Sequence, residues 1–153
     1  MLKLKIFRWQ LCYVSLPTKE ILFKRAMNID PLCPFCQSEI EDADNLFLHC
    51  QITQEFWRLA ISHNWIENGI LQRLSMARIA TSAVKMDRVA VLLWSMRKIR
   101  NNMVFHKETP IPGSTLIRAK KLALNGVLDI NSHKHYIYQP QASQTVTVRR
   151  LIG

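Results

Sequence analysis

Cys33-Pro34-Phe35-Cys36 places two thiols close together in the chain, and His49-Cys50 brings an imidazole and a third thiol about a dozen residues later. Two cysteines with two residues between them form a knuckle. Both thiolates can face one ion while backbone N–H groups point at the sulfurs. A His-Cys pair can close such a grip from the other side. Sulfur and nitrogen donors suit a borderline-soft ion that takes four ligands, which makes zinc the first candidate. Two other chemistries use the same residue types. A Cys-x-x-Cys pair can be redox-active at a helix N-terminus, and Cys50 beside His49 or His63 offers a nucleophile and a base. The first needs alternating strands and helices, whereas this chain reads as mostly helical. Cys36 also runs into the acidic turn Gln37-Ser38-Glu39, which would raise a thiol pKa. The second lacks an orienting partner and oxyanion donors. No enzymatic activity is expected.

The elements that must position these residues can be read in order. Residues 4–15 form an apolar segment read as helical, with a short strand as the alternative that periodicity leaves open, interrupted by Leu16-Pro17-Thr18. Thr18 is placed to cap a helix running to about Met27, with Glu20 near its positive end. Asp30-Pro31 breaks the chain and delivers it to the knuckle. After an acidic turn over 37–44, a helix starts near Asp42 or Asp44. It, or a second one, runs from about Thr53 to His63 with Phe56, Trp57, Ala60 and Ile61 on one face. Asn68-Gly69 signals a turn, and Ile70 to Val84 is compatible with another helix. The strongest helical period runs from Asp87, a candidate N-cap, to His106. It is carried by Val89, Leu92, Leu93, Met96, Ile99, Met103 and Val104. Pro110-Ile111-Pro112-Gly113 stops it, and Ser114 is placed to cap a last helix reaching about Ile130. The polar run from Gln139 to Gln144 has no periodicity and reads as disordered. The expected fold is mainly α, a small helical domain built around the Cys-x-x-Cys zinc knuckle. Its expected organisation is a zinc-binding domain over 5–66, a helical extension over 67–130 and a disordered tail over 131–153.

The 153 residues suit one domain with a tail, and their 48% apolar share is ordinary for a globular chain. The net charge of +10 points to an acidic partner or a well-solvated basic surface. The charge is unevenly placed. No Lys or Arg occurs from Pro31 to Trp57, where Glu39, Glu41, Asp42, Asp44 and Glu55 lie, so the knuckle is acidic and the cations flank it. Nucleic acid would meet the flanks, because phosphates need nearby cations. Four cysteines could make two disulfides, but without a convincing secretory signal a Cys-x-x-Cys reads more often as metal or redox. Cys12 reads as a small buried side chain. The acid-free first nineteen residues, with Lys3, Lys5 and Arg8, read as a core-packing helix rather than a transit peptide. No apolar run approaches the ~20 residues of a membrane span.

Taken together, several stretches carry more than spacing: Phe7-Arg8-Trp9-Gln10, Leu16-Pro17-Thr18, Arg25, Asp30-Pro31-Leu32-Cys33-Pro34-Phe35-Cys36, Leu46-Phe47-Leu48-His49-Cys50 and Phe56-Trp57. This combination resembles the zinc-binding domain of plant reverse transcriptases, found downstream of the polymerase in LINE-type retrotransposons and genes derived from them. Leu92-Leu93-Trp94-Ser95-Met96, Arg100-Asn101-Asn102 and Val104-Phe105 resemble the helix that follows it, so the resemblance covers about residues 5–107. It implies Zn2+ as cofactor, with Cys33, Cys36 and Cys50 as ligands. The family's remaining ligand, a His that opens the closure, falls on Asn45, and an amide oxygen is a poorer zinc donor than imidazole. His49 is the nearest substitute and completes the expected metal set. It directly precedes Cys50, and adjacent residues usually point apart, so its ligation needs a local distortion. Asp44 and His63 are further substitutes. A second family Trp falls on Arg97, read as a surface residue.

Neither a Tyr-x-Asp-Asp polymerase motif nor a nuclease carboxylate set is present, which suits a domain cut from a longer polyprotein. The resemblance implies a non-catalytic zinc module contacting RNA or DNA. Its basic flanks are Arg8, Lys24 and Arg25 on one side and Arg97, Lys98 and Arg100 on the other. Trp9, Phe35 and Trp94 could stack, though core packing is the expected role of each Trp. A reverse transcriptase or ribonuclease-H-like domain of the parent polyprotein is the other expected partner. The alternative is a metal-free helical interaction fragment, a decayed retroelement relic. The two differ in whether three cysteines and one further donor converge.

Overall fold

The computed structural model describes residues 2–13, 15–68 and 87–124. The expected helix over Ile70–Val84, the Asn68-Gly69 turn, the end of the last helix and the tail from 131 lie wholly or partly outside these residues. So do the side chains of Cys12 and Asp87.

Leu4, Phe7 and Leu11 recur at helical spacing and bury one face of α1 (Leu2–Cys12). Thr18 then starts α2 (Lys19–Lys24), its hydroxyl oxygen accepting from the Ile21 N–H at 3.4 Å. This helix stops three residues before the expected Met27. Ala26 takes a left-handed φ of 58°, and the N–H groups of Ala26 and Met27 turn back to the carbonyls of Phe23 and Leu22. After the knuckle come a single wide turn, the π-turn Asn45–His49, and then α3 (Gln51–Ser62). Phe56, Trp57 and Ala60 form the buried face of α3, as their spacing predicts, joined by Thr53, whereas Ile61, expected on that face, is only half-buried. At its end Asn64 repeats the left-handed closure, with Trp65 N–H donating to the Ala60 carbonyl.

The long helix α4 (Asp87–His106) is the centre of the molecule, and Val89 to Leu93, Ser95 and Met96 are buried. It packs on α1 and on α5 (Pro112–Leu122), and α5 packs in turn on α3. One hydrophobic cluster joins Phe7, Phe47, Trp57, Leu92, Met96 and Leu116, so the knuckle and the later helices share a core. The start of α5 differs from the expected Ser114 cap. Pro112 occupies the first turn, where a missing N–H costs nothing, and Ser114 lies inside the helix, donating to the Ile111 carbonyl. Arg97 is likewise no surface residue. Its guanidinium lies 5.5 Å from the Phe7 ring and 6.0 Å from the Trp94 ring and donates to Gln10, fastening α4 to α1. Among the described residues no helix is long and apolar enough to cross a membrane, and the one β pairing is the bridge between Leu32 and Ile40.

Candidate metal centre

The knuckle is built by its own backbone. Asp30 accepts the Leu32 N–H, and the Leu32–Ile40 bridge closes a narrow loop. Cys33 N–H donates to the Glu39 carbonyl at 2.7 Å and Gln37 N–H to the Cys33 carbonyl at 2.8 Å. Gln37 turns the chain with a left-handed φ of 54°. This compact turn carries Cys33 and Cys36 on one side, as their spacing predicts.

The closure is held by bonds that leave its direction no freedom. Asp42 accepts the Asn45 N–H at 2.6 Å, and the Asn45 carbonyl accepts the Cys50 N–H at 2.9 Å, an i to i+5 bond that widens the turn. Thr53 then donates its hydroxyl to the Leu46 carbonyl, and the Trp57 indole donates to the Phe47 carbonyl, both at 2.7 Å. Those carbonyls lack ordinary helical partners, so α3 supplies them. Cys50 is thereby fixed as the residue that opens α3.

These two pieces bring Cys33, Cys36 and Cys50 together, their sulfurs all within 4.8 Å of one another. In a tetrahedral zinc thiolate site with Zn–S of about 2.3 Å the sulfurs stand ~3.8 Å apart, so a small contraction suffices. Backbone N–H groups of Phe35 and Cys36 point at the Cys33 sulfur, those of Ser38 and Glu39 at Cys36, and those of Ile52 and Thr53 at Cys50. The Cys33 thiol donates to Cys50, which pulls Cys50 down to about 5 and, with burial, pushes Cys33 up. Burial opposes ionisation of Cys36, but the Ser38 hydroxyl and the two N–H groups outweigh it and hold the thiol below its ordinary range. Cys36 and Cys50 are thus biased toward thiolate, the state that binds metal, while the proton that Cys33 shares with Cys50 must leave when an ion enters. The donors fit zinc.

The other candidate ligands fall elsewhere. His49 is exposed, and its ring nitrogens are not among the donors that converge. Asp44 and His63 are exposed as well. Asn45 is buried, and its Oδ1 is the one buried side-chain oxygen or nitrogen without a hydrogen-bond partner among the described residues.

Sequence reasoning missed the group that supports the knuckle from behind. Glu41, fully buried, accepts from Arg100 Nε at 2.9 Å and Nη2 at 2.5 Å, and from the Lys19 N–H at 2.9 Å. Its carbonyl accepts the Glu20 N–H, and Lys19 Nζ donates to the Leu32 carbonyl. By pattern alone Glu41 belongs to the acidic turn and Arg100 to the nucleic-acid flank. Their separation of 59 residues leaves no local signal. Arg100 is therefore engaged internally, and Lys24 pairs with Glu20. Phe35 is buried and Trp94 packs on Phe7 at 5.2 Å, whereas Trp9 is 56% exposed and lies 4.9 Å from the 53% exposed Tyr13.

No curated protein and no solved structure matches the chain. Residues 1–57, which contain the whole thiol cluster, match the model of the family described as zinc-binding in reverse transcriptase.

Proposed function

We propose that this chain is a non-catalytic zinc module of a LINE-type reverse transcriptase, in which Cys33, Cys36 and Cys50 hold the ion and α1 contacts RNA or DNA. The convergence of the three thiols, each met by two backbone N–H groups, carries the reading. Metal held there joins the knuckle to the start of α3, so binding energy becomes folding energy for residues 31–50. Residues 5–66 form the zinc-binding unit, and the helices beyond it complete its core. The parent polymerase, or a ribonuclease-H-like domain, is the protein partner that the family implies.

The nucleic-acid surface is narrower than the sequence suggests, because Arg97 and Arg100 serve the interior. Arg25 and Lys98 stay exposed, and the outer face of α1 adds exposed rings to cations. Trp9 and Tyr13 stand together there, Lys5 is exposed one turn before Trp9 on the same face, Lys3 is exposed nearer the start of the helix, and the helix contains no acid. Exposed rings among cations suit stacked bases with their phosphates.

Native mass spectrometry on protein purified without chelator tests the metal. One zinc in the parent and none in Cys50→Ser is the expected pair. A zinc-free parent that does not take up added zinc would refute the module. For the surface, Trp9→Ala with Tyr13→Ala is expected to weaken binding to a single-stranded oligonucleotide at least tenfold, at about 1–3 kcal/mol per stacked base. Unchanged binding and unchanged salt slope would remove α1 from the interface.

A further inference from the structure

We infer that Asn45, and not His49, supplies the fourth donor to the ion, through its side-chain oxygen; the inference rests on the three-thiol reading above. Asn45 is 8% exposed and its Oδ1 has no hydrogen-bond partner, while Leu46, Phe47 and Leu48, which follow it, are buried in the hydrophobic cluster. Leaving a buried carbonyl oxygen unpaired costs about 1–3 kcal/mol, so such an atom calls for a partner that belongs to the working protein. The backbone says where that partner lies. The Asn45 carbonyl accepts the Cys50 N–H, which sets residues 45 and 50 one turn apart on the same side of the π-turn. Cys50 already points into the thiol cluster. His49, one step earlier, is turned by the same geometry to the outside, where it is exposed.

Three thiolates leave one position of a tetrahedral zinc ion open. An amide oxygen is neutral, as imidazole is, so three thiolates with Asn45 carry the same charge as three thiolates with a histidine. It is the harder and weaker donor of the two. The expected site is therefore a complete but labile centre of three sulfurs and one amide oxygen, which releases zinc more readily than one closed by imidazole.

Zinc competition against a chromophoric chelator, with the visible spectrum of the Co2+-loaded full-length chain, tests the assignment. His49→Ala is expected to leave affinity and cobalt spectrum unchanged. Asn45→Leu, close in volume and without the oxygen, is expected to weaken zinc about tenfold and to move the cobalt bands. Asn45→Asp keeps an oxygen at the same reach and is expected to hold zinc at least as tightly as the parent. Asn45→His is expected to tighten zinc and give the spectrum of a three-sulfur, one-nitrogen site. Far-ultraviolet circular dichroism of each zinc-free variant separates loss of the ligand from loss of the fold. Weakened zinc and a moved spectrum in His49→Ala would overturn the inference. So would Asn45→Leu behaving like the parent, or a helical Asn45→Asp losing zinc as Asn45→Leu does. In those cases the thiol site itself still stands. Absence of zinc and cobalt from the parent would overturn both readings.

Discussion

The knuckle is gripped from two sides by unlike means. On one side Cys33, Cys36 and Cys50 draw together around a position for an ion, oriented by N–H groups within three residues of each sulfur. On the other, Glu41 is clasped by Arg100 of the central helix and by the N-terminus of α2. The first grip depends on metal and is local. The second works without metal and spans the chain. The bonds of Glu41 fasten the knuckle to α4 and α2 through protein groups alone, so zinc is expected to order the knuckle more than to dock it. A buried, hydrogen-bonded ion pair loses far more when one partner is removed than it gains over a matched apolar pair, so the second grip sets the loop's position with little tolerance.

Breaking the second grip carries the largest expected effect. Glu41→Ala leaves Arg100 buried and unpaired, and a loss of about 3–5 kcal/mol of stability follows, read as a lowered denaturant midpoint. Glu41→Leu combined with Arg100→Met removes both charges and is expected to recover most of that loss. If the double variant is no better than Glu41→Ala, the pair does not act as one unit. Breaking the first grip is expected to be smaller and confined. Chelation of the zinc-loaded protein should raise amide exchange over residues 31–50 and leave the middle of α4 protected. Loss of protection throughout α4 would mean that the metal, not the ion pair, carries the shared core. The smallest effect sharpens the comparison at the outer edge of α4. Arg97→Ala, which removes the stacking on Phe7 and Trp94 and the bond to Gln10, is expected to cost about 1–2 kcal/mol without altering zinc content. A zinc content that falls with it would join the two grips through α1.

Much of the site was legible in the sequence because its determinants lie a few residues apart. The Cys-x-x-Cys turn, the Thr18 cap, the buried face of α3 and the period of α4 each arise from bonds or contacts that repeat within one or two turns. Fold class and metal chemistry could be read from such patterns. The misreadings share the opposite property. Arg97 and Arg100 look like solvated cations beside Lys98, and only the packing of α1 and the knuckle on α4 takes the first two inside. Trp9 and Trp57 are the same residue type, each within a helix, yet one faces outward and the other is wholly buried.

By itself, then, the sequence determined the course of α1, α3 and α4, the Thr18 cap, the knuckle and the three sulfurs, since local hydrogen bonding and side-chain period need no distant partner. Tertiary structure decided which polar groups go inside. It paired Glu41 with Arg100, sealed Asn45 against the core and turned His49 outward, because burial is set by surfaces that meet only when distant segments pack.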